Sequence, residues 1–367
     1  MRKYAFNEIT LLQYIFFIHV LQVGLGVLTM PRELAESAGT DGWISILIGW
    51  AIANAASLII IQVMKRHPEA TIIEIVTFYF GRWIGGGITV LIALYFAFAG
   101  ITILFAAASL LKVWVLSRTP NYIVIMLLMI PTYLILHSNL RVLGRYNELV
   151  FYLSLWMPFF LAMTLRESHL IHLLPVLKDG WMKVLLTAKS TVLSFLGFET
   201  AFFLYPFLQK KQAASIGIVI ANTLSMLVFL FVTLVAYAYF SPDEITQYTW
   251  PTLSLLKVIE IRFLERVDIV FLSLYMFILS TTWIPYMFFA LFSTSQLLGK
   301  QDHSGPLKVF AFLTIVFSFF FDPSFIQLEA MTKMSSQYGL IFAYTFPLCL
   351  WMYAWMHDLF HRRRQTG

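Results

Sequence analysis

Glu199 stands in the stretch FLGFETAFFLYPFL, two positions after Gly197 and otherwise among apolar side chains. An ionised carboxylate is expensive inside a membrane, so its presence there marks a functional position by default. It can pair with a ligand ammonium, exchange a proton or line a cation path. A structural bond is the competing role, but not to Lys189, because ten residues span about 15 Å of helix.

A second stretch, LQVGLGVLTMPRE, sets Gly24, Gly26 and Pro31 where the first apolar run should form an unbroken helix. Glycine costs a helix about 1 kcal/mol relative to alanine, and proline about 3. In lipid, irregular backbone persists only where protein encloses it or it lines a cavity. A break here therefore predicts a cavity. The helix beginning near Val27 would aim free N–H groups and a positive dipole end into it, which suits a small anion such as a carboxylate. Gly24, Leu25, Gly26 and Val27, with Gly197, Phe198 and Glu199 from the matching GFETAFFLYP segment, are the candidate ligand-binding residues. Close helix packing through glycine is the alternative.

The elements that position these residues follow from composition. The chain is 60% hydrophobic, 17% aromatic and 12% charged, too little charge to cover a soluble domain of this length. About twenty apolar residues cross a bilayer, and such runs recur throughout. The expected fold is an all-α polytopic membrane protein with ten transmembrane helices, at 9–36, 42–64, 83–116, 121–138, 143–165, 183–209, 213–240, 266–298, 305–321 and 338–357. EATIIEIVTFYFGRW is too charged to span. Thr71 and Glu74 have capping-box spacing, and the apolar periodicity after them predicts an amphipathic helix along the membrane surface.

The two glycine-broken segments lie five spans apart, and an odd number of spans reverses orientation. This predicts a five-plus-five inverted repeat in a single domain over 1–367, with repeats at about 8–165 and 183–357 and broken helices 1 and 6. Ten spans put both termini on one side. The pairs Lys65–Arg66 and Lys210–Lys211 and the HRRR tail make that side cytoplasmic.

The net charge of +6 is scattered over short loops, which argues against nucleic acid as a partner and for membrane lipid. Cys349 is the single cysteine, so no internal disulfide or cysteine metal cluster is expected. Its place within a span suggests a small core residue. No small-residue cleavage site precedes the first span, so no removable signal peptide is expected. His169 and His172 are three apart but lack further ligands, so no metal is assigned. His19 and His137 are expected as packing residues. No Walker loop, nucleophile elbow, H-E-x-x-H or dinucleotide fingerprint is present, so neither enzyme activity nor a cofactor is expected.

VGLGVLTMPRELAESAGTDGW, then HPEATIIEIVTFYFGRWIGG, then FLGFETAFFLYPFL together resemble the endospore germination permease family. These are the B-type subunits of spore germinant receptors, within the amino acid–polyamine–cation transporter superfamily. The resemblance covers nearly the whole chain. It implies a sensor of a small-molecule germinant, an amino acid in the first instance, in the bacterial spore inner membrane, working with A-type and C-type subunits. A proton- or cation-coupled amino-acid permease is the alternative. The resemblance also turns the middle of span 3 toward the breaks, which nominates Phe98 and Ile101 as cavity walls, although a lipid-facing or core stripe fits the sequence alone. In superfamily members that use sodium, small hydroxyls on span 8 help to hold the ion, which makes Ser280 and Thr281 in LSTTWIPY a candidate cation site. The lysine that some sodium-independent relatives carry in span 5 has no counterpart between Leu149 and Leu165.

Overall fold

The computed structural model describes residues 7–178, 180–257, 259, 267–300 and 302–365, with side chains through residue 359. The HRRR tail side chains and residue 266 at the expected start of span 8 therefore lie outside the described residues. All regular structure described is helical. Among the described residues six helices are long and apolar enough to cross a membrane, or seven if the bent pair Trp181–Ser194 and Phe198–Phe207 is one span. The protein is a multi-pass membrane protein.

Helix α1 (Leu11–Val23) opens with a capping box in which Thr10 and Gln13 satisfy each other's backbone N–H groups. Apart from Gln13, His19 and Gln22 it is apolar, with no polar face, and it is buried from Gln13 to Val23, as a helix inside a bundle must be. It stops at Gly24, whose φ of 21° is a conformation L side chains rarely adopt. A Cβ there would lie 3.0 Å from Thr282 Oγ1. The chain resumes as α2 (Gly26–Ala38), crosses to α3 (Gly42–Arg66) and enters α4 (Ile72–Trp114).

The Thr71–Glu74 capping box is present at the start of α4, and the helix bends at Gly81, φ 77°. The amphipathic segment 72–80 is thus a separate arm, as its charge and periodicity require. Next come α5 (Asn121–Leu136), α6 (Leu140–Ser154) and α7 (Met157–Met163), then α8 (Trp181–Ser194) and the short α9 (Ala201–Leu204). Beyond them are α10 (Ala214–Tyr239), α11 (Pro251–Leu256), α12 (Val267–Leu297), α13 (Ser304–Phe320), α14 (Phe325–Leu340) and α15 (Phe346–Gln365).

Two expectations are corrected. The last apolar helix begins at Phe325 rather than near 338, because a Ser324–Gln327 capping box starts it and its polar residues lower the local hydropathy. A π-helical turn, Ile341–Thr345, joins α14 to α15. Cys349 is exposed on the outer surface of α15 rather than packed in the core.

Helix α12 lies along α4, α1 packs on α10 and α6, and α3 packs on α8 and α10. The two interrupted segments run antiparallel. Ile9, before α1, exchanges backbone bonds with the end of the α8–α9 segment, its N–H donating to Phe207 O at 2.9 Å and its carbonyl accepting from Gln209 N at 3.1 Å. Their breaks meet in the interior.

Thr71 also donates to Gln296 Oε1 at 3.1 Å, tying the start of α4 to the end of α12. Thr71→Ala should destabilise the protein by about 1–2 kcal/mol. A lower thermal midpoint in detergent, restored by Thr71→Ser, is the expected measurement.

Candidate functional site

Several backbone groups freed by each break are satisfied by side chains. Pro31 has no N–H to offer the carbonyl of Val27 one turn earlier. That carbonyl instead accepts from Thr252 Oγ1 of α11 at 2.7 Å. The Gly24 carbonyl accepts from the Tyr275 hydroxyl of α12.

In the second break the Phe195 carbonyl accepts from Gln22 Nε2 at 2.8 Å, and the Gly197 carbonyl accepts from Thr200 Oγ1 at 2.6 Å. The Gly197 N–H donates to Glu199 Oε2 at 2.5 Å. Gly197 has φ 129°, and a Cβ there would sit 2.6 Å from Leu21 Cδ2 and 3.1 Å from Gln22 Cγ. Glycine is thus required by conformation and by contact, and the second break lies directly on the end of α1.

Glu199 is completely buried. Its other oxygen, Oε1, accepts from Tyr95 of α4 and from Tyr286 of α12, both at 2.9 Å. The two tyrosine rings stand perpendicular with centroids 6.1 Å apart. Phe342 of the π turn packs on Tyr95 at 5.5 Å, and Tyr344 packs on Phe198 at 5.2 Å while donating to Val192 O at 2.8 Å. Three neutral donors therefore hold the carboxylate, and among the described residues no cation bonds it. Lys189 is exposed on α8.

A buried polar chain backs the site. Gln22 also donates to Asn222 Oδ1 at 2.8 Å and accepts from Ser225 Oγ at 2.6 Å. Ser225 Oγ is 3.0 Å from His19 Nδ1, and Asn222 donates onward to Asn54 Oδ1 and Ser57 Oγ, each at 3.1 Å. This network joins α1, α10 and α3 to the end of α8, and it gives His19 the hydrogen-bonded packing role expected of it.

The sequence candidates fall into three groups. Gly24, Val27, Gly197, Phe198 and Glu199 are buried at the paired breaks, with Leu25 and Gly26 half-buried beside them. Gly26 has room for a methyl group, its nearest contacts being Phe229 and Ser194 at 3.8–3.9 Å. Phe98 is half-buried against Tyr338, ring centroids 6.3 Å apart, and Ile101 packs at the edge of the core; Tyr95 is the residue α4 brings to Glu199. Ser280 and Thr281 donate to the Phe277 and Ile278 carbonyls of their own helix, each at 2.6 Å. Thr282, buried against Gly24, has no hydrogen-bond partner at its hydroxyl. Sequence reasoning missed Tyr95, Tyr286, Gln22 and Asn222. The intramembrane amides were the available signal, since buried polar groups need partners.

Two surface recesses, of about 310 Å³ beside Trp114 and Lys257 and about 430 Å³ beside His67 and Glu74, lie away from the breaks.

Residues 8–326 match the family model described as spore germination protein. The chain belongs to that family. It is 24% identical to spore germination protein GerQB of Bacillus cereus, over 92% of this chain and 93% of the relative. Spore germination protein YndE of Bacillus subtilis is 28% identical over 81% and 83%, and spore germination protein B2 of the same species 25% over 97% of each. The resemblance carried by the three sequence blocks is thus borne out.

Gln22→Leu removes three hydrogen bonds at once and strands the Phe195 carbonyl. A loss of about 1–3 kcal/mol is expected for each polar group left unsatisfied. The double variant with Asn222→Leu should lose less than the sum of the two single losses, as coupled neighbours do. Thermal unfolding of the four proteins in detergent measures this.

Proposed function

We propose that this protein is the B-type subunit of a spore germinant receptor, and that it senses a small nutrient, an amino acid, held between broken helices 1 and 6. In this reading the chain crosses the spore inner membrane ten times as a five-plus-five inverted repeat in one domain, with both termini cytoplasmic. The antiparallel course of the two broken segments and their contact at the breaks support it.

The ligand ammonium replaces a tyrosine hydroxyl on Glu199, and the ligand carboxylate faces the N–H groups at the start of α2. A ligand shifts a conformational equilibrium only by its differential affinity for the two states. Closure of both breaks around one amino acid supplies that difference, because each half-site binds only one end of the ligand. The resulting tilt is relayed to A-type and C-type subunits. The observation that carries this reading is the buried Glu199 carboxylate, held at the meeting point of both breaks by neutral donors alone.

A second reading, a cation-coupled permease using the same pocket, is favoured by the unpartnered Thr282 hydroxyl beside Gly24. On that reading a cation sits near Thr282, with Ser280 and Thr281 turning toward it in another state. Uptake of labelled amino acid by the purified protein supports the permease, and binding without uptake supports the sensor.

Glu199→Gln keeps the volume and the hydrogen-bonding capacity of the side chain but removes its charge. Most of the germinant response should be lost at normal membrane abundance, measured as dose-response in spores. An unchanged curve would make Glu199 a structural cap of the Gly197 N–H. Gly26→Ala fits the space available, so normal abundance with a weakened response is the expected outcome there. An unchanged response would return Gly26 to helix packing.

A further inference from the structure

The π turn Ile341–Thr345 has a cause in the sequence. Pro347 follows it by two positions. In an α-helix its ring would press on the Ala343 carbonyl and offer it no N–H. Widening the turn by one residue relieves that contact. Conversion of the π turn to an α turn changes the register of everything beyond it by one residue. That is a rotation of about 100° and a shift of about 1.5 Å along the axis.

Contacts with the second break hold the observed register. Tyr344 donates to the Val192 carbonyl in the last turn of α8 at 2.8 Å, and its ring stands against Phe198. Phe342 packs on Tyr95, on Phe96 and on Phe202, with centroids 5.5, 5.6 and 5.9 Å away. Helix α14 is fixed up to the turn, because a Cβ at Gly339 would lie 2.5 Å from Leu196 Cδ1 and 3.0 Å from the Tyr95 hydroxyl. A register change must therefore be taken up by α15.

The far end of α15 holds the amphipathic arm. Tyr353 and Asp358 stand eight and thirteen residues past Thr345, about 12 and 20 Å along the helix. The Tyr353 ring stacks on Phe80 at 4.8 Å and stands perpendicular to Tyr79 at 5.8 Å. Asp358 pairs with Arg66, the last residue of α3, at 2.7 Å, and His67 Nε2 lies 2.9 Å from the Tyr79 hydroxyl. Asp358 is half-exposed, so the pair is weak and readily released. At the other end of the arm, no atom lies within 4 Å of where a Gly81 Cβ would be. Glycine there serves a hinge, with φ 77°, rather than packing.

We infer that the π turn is a two-position switch joining the Glu199 cage to the arm. In the π register α15 clamps the arm; in the α register it rotates off Phe80 and Arg66 and frees the arm to swing at Gly81. Germinant binding as the trigger rests on the function proposed above; the switch itself does not.

The test uses the full-length protein in lipid vesicles, without germinant, spin-labelled on Cys349 of α15 and on Ile52→Cys, an exposed position of α3. A one-residue rotation carries an α15 side chain roughly 8 Å around the helix. The otherwise unaltered protein should be dominated by one distance. Pro347→Ala, which restores the N–H, should move most of the population to a second distance. Tyr344→Phe releases the Val192 carbonyl but keeps the ring, and Arg66→Gln opens the clamp at the membrane surface. Each should raise the population of that same second distance several-fold, because two ends coupled through one equilibrium act reciprocally. Should Pro347→Ala not accumulate in the membrane, the other two variants decide. An unchanged distribution in any variant that accumulates, or a different new distance in each, would overturn the switch. With no germinant present, failure of the amino-acid assignment would leave all of these distances as they are.

Discussion

A helix interrupted at mid-membrane leaves amide and carbonyl groups that lipid cannot hydrogen-bond, and here the two interruptions answer each other. Gln22, at the end of α1, supplies the donor for the Phe195 carbonyl at the end of α8, and Gly197 rests on Leu21 and Gln22. Neither break is tolerable alone. Each unsatisfied group in a low-dielectric interior costs more than the bond it forgoes, so the two broken segments, and the α10 and α3 amides behind them, act as one unit.

On the proposed reading, the same constraint is what suits Glu199 to sensing. Its carboxylate caps the Gly197 N–H while receiving two tyrosine hydroxyls from α4 and α12. Those helices are each other's main packing partners. A change in what the carboxylate binds therefore acts on the break, on two long helices and on the π turn whose Phe342 lies against Tyr95. π-Helical turns occur often at functional positions, and this one touches the site directly.

Glycines with positive φ were legible because no other residue serves there: Gly24 and Gly197 are both breaks. The capping boxes at Thr71 and the amphipathic arm to Gly81 were legible from local spacing for the same reason. The cage was not legible. Tyr95 and Glu199 are separated by 104 residues, and only the rotational register of α4 decides that Tyr95, rather than Phe98 or Ile101, meets the carboxylate. The start of the last helix was missed because α14 is amphipathic at membrane depth, and a hydropathy window averages its polar flank with its apolar one. Ser280 and Thr281 bond their own helix, the usual fate of such hydroxyls, while the neighbouring Thr282 faces Gly24.

The most direct measurement is a structure of the assembled receptor with its germinant bound. The ligand is expected between Gly24–Val27 and Gly197–Glu199, with its amine on the Glu199 carboxylate and at least one of Tyr95 and Tyr286 displaced from it. A germinant bound elsewhere, on another subunit or in a surface recess, with Glu199 still held by both tyrosines and by Gly197, would contradict it.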